Sequence, residues 1–154
     1  MRRVSNLDFG ILLGLAYQRF VDELNAHLDH AGFAVNKRTY GYVFRALADQ
    51  PDMTTAQLAA RLGITSQGAA KIVDDMVNTG YLRRAPDPAD ARARLLRLTD
   101  RGTAALAAAR AFHQQYEADL IAHVGANAVA DLRRALGALV GADDAALTRQ
   151  LRPF

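Results

Sequence analysis

The chain has 154 residues, 51% of them hydrophobic and 23% charged, with no cysteine and a formal charge of 19 − 16 = +3. That describes one ordinary domain able to bury a core without a disulfide or metal, and excludes a disordered tail, a collagen or a low-complexity linker. The missing thiols remove disulfides, thiolate zinc sites, a cysteine nucleophile and thiol redox sensing together. The apolar stretch Ile11 to Ala16 is too short for a membrane span, and Gln18, Arg19, Asp22 and Glu23 follow it. It is no secretory signal either, so a cytoplasmic protein without membrane contact is expected.

Helix dominates the pattern. From Leu7 to Ala31, Phe9, Leu12, Leu13, Ala16, Phe20, Leu24 and Leu28 recur at threes and fours, opposite Arg19, Asp22, Glu23 and Asn25. This spacing predicts a long amphipathic helix ending near Gly32. A second helix follows from about Lys37 to Ala48, with Tyr40, Val43, Phe44 and Leu47 on one face, until Pro51 and Asp52 break it.

Thr54 precedes Gln57 by three residues, a capping box that can satisfy two orphan amides at a helix start. The helix it opens turns Leu58, Ala59 and Leu62 inward and stops at Gly63, where a left-handed or tight backbone is expected. Thr65 or Ser66 caps the next helix, Gln67 to about Asn78, whose inner face is Ala69, Ile72, Val73, Met76 and Val77. Two short helices meeting at a glycine form a helix-turn-helix, a corner that many helical proteins contain.

Gly80 ends that helix. Tyr81 to Arg84 is expected as a strand, Pro86 to Ala91 as a turn, and Arg94 to Leu98 as a returning strand. Arg83, Arg84, Arg92, Arg94, Arg97 and Arg101 stand in this segment against Asp87, Asp90 and Asp100. A charge run alone is most simply a solvated face. Placed on a hairpin beside a helix-turn-helix, it instead suggests a wing that reaches a nucleic-acid backbone or minor groove. Thr99 then caps a further helix.

These residues also carry a resemblance. Leu58-Ala59-Ala60-Arg61-Leu62-Gly63, the helix from Ser66 with Val73-Asp74, and Gly80-Tyr81-Leu82-Arg83-Arg84 resemble the MarR-type transcriptional regulators. So do Asp90-Ala91-Arg92 and Leu98-Thr99-Asp100-Arg101-Gly102. The resemblance implies a winged helix that binds double-stranded DNA as a homodimer. Arg92 would enter the minor groove at the wing tip, with Asp90 pairing with it or bracing the tip, and Arg94 beside it on the wing. Thr65, Ser66, Gln67 and Lys71 would lie on the DNA side of the recognition helix, where glutamine can fork onto adenine and lysine onto guanine or phosphate. Asp75 departs from the pattern, standing where relatives often carry a basic residue.

The last third is expected as helices. Asp100 to about Val124 is alanine-rich and about 37 Å long. After Gly125, Val129, Leu132, Leu136, Leu139 and Val140 form a stripe too apolar for a free surface. Packing within the chain is one reading; packing against a twin subunit, together with Leu7 and Ile11, is the one the resemblance favours. Asp143-Asp144 starts a short final helix through Leu147 and Leu151. The organisation expected is one intertwined domain, with residues 1–34 and 103–154 for dimerisation and 35–102 as the winged helix.

Weaker signals lead less far. His27 and His30 lie three apart, but His113 and His123 are ten apart, so no metal site and no cofactor are expected. No nucleophile has a recognisable base and no glycine-rich phosphate loop follows a strand, so an enzyme is not expected. Tyr17, Phe20, Tyr40, Phe44, Phe112 and Tyr116 are first of all core residues. The resemblance adds a pocket for a small aromatic or phenolic anion, with Arg19 to meet a carboxylate. The fold class expected is mainly α with a small β-hairpin wing, and the function that of a ligand-responsive repressor on a pseudo-palindromic operator. A winged-helix protein-interaction module and a nucleoid-type binder with little sequence preference stay as alternatives.

Overall fold

A computed structural model describes residues 7–35 and 38–141 and divides the chain into two compact units, residues 1–36 and 37–154. Among the described residues the first unit holds one helix, α1 (Phe9–His30), and the turn after it. Its polar side is laced by bonds one turn apart, Gln18 to Asp22 at 2.8 Å and Arg19 to Glu23 at 2.9 Å. Of its apolar stripe only Leu28 is buried, whereas Phe9, Ile11, Leu12, Leu13 and Leu15 are exposed. Periodicity located the helix correctly but not what covers its N-terminal half.

The second unit begins with α2 (Arg38–Asp49) and continues through β1 (Met53–Thr54), α3 (Thr55–Leu62) and α4 (Ser66–Asn78). Strands β2 (Leu82–Pro86) and β3 (Arg94–Leu98) follow, then α5 (Asp100–Val124) and α6 (Ala126–Val140). The sheet is antiparallel in the order β1-β3-β2, three strands where two were expected. The extra strand is only Met53-Thr54, too short for an alternation signal, and pairs with Leu96 and Leu95. Two boundaries also differ. Tyr81 precedes its strand instead of opening it, and Pro86 belongs to β2 and not to the turn. An edge strand tolerates a proline because one side of its ladder has no partner to lose.

The caps explain the tight punctuation. Thr54 and Gln57 exchange both bonds of the capping box, at 3.2 and 2.8 Å. Gly63 takes φ +65°, a left-handed backbone that its lack of a Cβ permits. Thr65, not Ser66, caps α4, accepting from the Gly68 amide at 3.0 Å. The core of this unit joins Val43, Phe44 and Leu47 of α2, Leu58 and Leu62 of α3, Val73 and Met76 of α4, and Met53, Leu82 and Leu96 of the sheet. No polar or charged side chain is buried among the described residues apart from tyrosine hydroxyls. The expected final helix from Asp143 lies outside the described residues.

Candidate nucleic-acid interface

The recognition-helix candidate α4 buries Ala69, Val73 and Met76 and leaves Ser66, Gln67, Lys71 and Asp74 exposed. Gln67 and Lys71 are one turn apart and Asp74 three residues on, so they share one face. Thr65 spends its side-chain oxygen on the cap. Asp75 is half-buried, and its carbonyl accepts from the Thr79 hydroxyl at 2.8 Å.

The α4 end is shaped by Gly80 at φ +79°. Its amide donates to Val77 and that of Tyr81 donates to Met76, a Schellman closure that turns the chain straight into β2. Leu82 pairs with Leu98 and Arg84 with Leu96 across the wing, and Arg83 lies opposite Arg97. Two like charges directly opposed would repel. Arg97 answers by donating to Asp52, a residue that itself holds the left-handed φ of +64° beside β1. That bond is the main cause raising the Arg97 pKa above its ordinary value.

The tip is built from aspartates. Asp87 Oδ1 accepts from the Ala89 amide at 2.8 Å and Asp90 Oδ1 from the Arg92 amide at 2.9 Å, local turns that such side chains favour. Asp90 therefore braces the tip through the Arg92 backbone. Arg94 folds back on it, donating to the carbonyls of Ala91 and Ala93 at 3.2 and 3.0 Å. The Arg92 side chain is left exposed, with no partner among the described residues.

The six arginines of this segment thus have different tasks. Arg84 donates to Asp74 at 2.6 Å, linking wing to α4, and Arg101 lies over the Tyr81 ring at 5.1 Å. Arg97 and Arg94 are engaged as above, while Arg83 and Arg92 are exposed, with no partner among the described residues. Sequence reasoning missed the Asp74–Arg84 and Asp52–Arg97 ties, since residues 10 and 45 apart give no periodic signal. Nor did it find the reason for Gly102, against which the carbonyl of Tyr81 packs directly.

The remaining candidates separate. Tyr40 and Phe44 are buried core, their rings edge-on to Tyr81 at 6.1 and 5.6 Å. Phe112 and Tyr116 form a tilted ring pair along α5, 5.6 Å between centroids. Arg19 is engaged with Glu23 of its own helix, and Tyr17 is exposed beside a half-buried Phe20. Of the α6 stripe, Val129 is buried within one chain and Leu136 is half-buried, while Leu132, Leu139 and Val140 are exposed. Leu7 and Ile11 are exposed in the first unit.

Comparison with known proteins adds to this geometry. Residues 37–93 match the MarR family model. Over 67 residues the chain is 40% identical to the transcriptional regulator HosA of Escherichia coli O111:H-, covering 44% of this chain and half of that relative's length. The fold resembles wild-type MarR from E. coli, with a TM-score of 0.63 and 22% identity over 88% of this chain and 98% of that one. It also resembles the transcriptional repressor CouR bound to a 23-mer DNA duplex, with a TM-score of 0.68 and 24% identity over 92% and 97% of the two chains. No helix among the described residues is long and apolar enough to cross a membrane. The winged-helix segment of this chain, residues 37–93, is thus similar to the MarR family.

Proposed function

We propose that the protein is a sequence-specific DNA-binding transcriptional regulator, working as a homodimer on a pseudo-palindromic operator. The observation that carries this reading is an exposed face of α4 tied to the wing by the Asp74–Arg84 contact. Ser66, Gln67 and Lys71 are free to meet base edges in the major groove, and Arg92 to enter the adjacent minor groove. The names borne by HosA and CouR support regulation and duplex binding. Residues 1–34 and 103–154 are the proposed dimerisation region, with Leu132, Leu139 and Val140 of α6 as apolar surface that a twin subunit would cover.

The same reading makes the protein a repressor released by a small aromatic or phenolic ligand. Its support is the supply of rings, Phe112 and Tyr116 above all; Tyr40 and Phe44 are committed to the core around Tyr81. The test is a footprint on DNA flanking the protein's own gene, with and without salicylate-like carboxylates. A protected pseudo-palindrome with half-site centres about 10 bp apart supports the reading. Uniform coverage would instead mean a nucleoid-type binder, and no protection at all a protein-interaction module.

A further inference from the structure

Six contacts converge on two residues, Gly80 and Tyr81, that connect α4 to β2. Thr99 donates its amide to the Tyr81 carbonyl at 3.1 Å and its hydroxyl to the Gly80 carbonyl at 2.5 Å. The same hydroxyl oxygen accepts from the Gly102 amide at 3.0 Å, closing the first turn of α5. Gly102 then lies so close that a Cβ there would come 2.1 Å from the Tyr81 oxygen, and Arg101 covers the Tyr81 ring. From the other side Tyr40 and Phe44 of α2 hold that ring edge-on.

A junction bonded from every side has no soft torsion left to absorb a rotation. The base of α5, a rod about 37 Å long, is therefore joined at one point to both DNA-facing elements, the end of α4 and the start of the wing. We propose that Thr99 and Gly102 are positioning residues, which make α5, recognition helix and wing turn as one body and so transmit the α5 orientation to the spacing of two DNA-reading heads. The proposal rests on the DNA reading above. Hinges serve where a chain must bend; this site is the opposite of one, and bending belongs elsewhere along the path between subunits.

The test compares wild type, Thr99→Val, Thr99→Ser and Gly102→Ala on three duplexes: the protected operator, the same operator with base pairs inserted at its centre, and a single half-site. Thr99→Val keeps the shape and removes the hydroxyl, Thr99→Ser keeps the hydroxyl, and Gly102→Ala wedges the junction apart. For Thr99→Val and Gly102→Ala, preference for the correct spacing is expected to fall about tenfold, the worth of one specific contact. Half-site affinity should stay unchanged and Thr99→Ser should behave as wild type. Spacing preference retained in folded Thr99→Val overturns this proposal alone; a wild type that protects no duplex overturns the DNA reading and this with it. Amide exchange in the wild type decides the matter even where the variants do not fold. The Thr99 and Gly102 amides should exchange only on global unfolding, and exchange by local opening would contradict a rigid junction.

Discussion

Arg84 donates to Asp74 at 2.6 Å and ties the first wing strand to the exposed face of the recognition helix. Both side chains are well exposed, so the pair adds little to stability, within about 1 kcal/mol. Its consequence is orientation: the carboxylate that holds the wing stands one turn beyond Lys71, on the face proposed to meet DNA. Arg84→Ala is therefore expected to weaken operator binding more than it lowers Tm. In a double-mutant cycle with Asp74→Ala the two losses should overlap instead of adding. Additive losses would show that the two residues act on DNA separately.

Tyr81 is buried, and its hydroxyl has no hydrogen-bond partner among the described residues. A buried hydroxyl without a partner carries a desolvation cost and gains nothing in return. Tyr81→Phe keeps both edge-on ring contacts and the Arg101 cover, so the variant should be more stable by about 1 kcal/mol. A thermal melt checks this, and a lowered Tm would mean that the hydroxyl is bonded after all.

Much of this architecture was legible in the residues. Capping at Thr54, Thr65 and Thr99 and glycines at Gly63 and Gly80 mark helix ends by local chemistry, which operates within four residues. The β3 strand and α5 accordingly fall where the run Arg94 to Leu98 after the turn and the Thr99 cap put them. What stayed hidden depends on contacts between distant segments. Met53-Thr54 becomes a strand only because Leu95 and Leu96 pair with it, and Asp52 and Asp74 become wing ties only after folding. The aromatic set divided for the same reason: Tyr40 and Phe44 are claimed by Tyr81, which spacing along a helix cannot reveal.

On α6, Leu139 is 64% exposed within one chain. Leu139→Asp should leave the chain folded, since no core contact is lost, yet prevent association by burying unpaired carboxylates in an apolar seam. Sedimentation should give a monomer with an unchanged helical spectrum. A dimer of normal affinity would place the seam elsewhere.

Arg133 clasps Glu117 from α6 to α5 with two bonds, at 2.8 and 2.5 Å. That clasp lowers the Glu117 pKa in the folded protein. The stabilisation is therefore complete above the unfolded value of about 4.3 and is lost as pH falls through the lower folded value. Wild type should lose more Tm than Glu117→Gln between neutral and acidic buffer, with a smaller difference at high salt. Equal losses would show that the clasp contributes nothing.

Duplex binding through the wing tip is the central claim, and Arg92→Ala tests it most directly. Arg92 is exposed and has no partner among the described residues, so its removal should leave stability within about 0.5 kcal/mol of wild type. Operator affinity, titrated by mobility shift over a range of salt, should fall by roughly 1–3 kcal/mol, with a salt slope smaller by about one phosphate contact. Unchanged affinity in the folded variant would take the wing tip off the DNA and contradict the account.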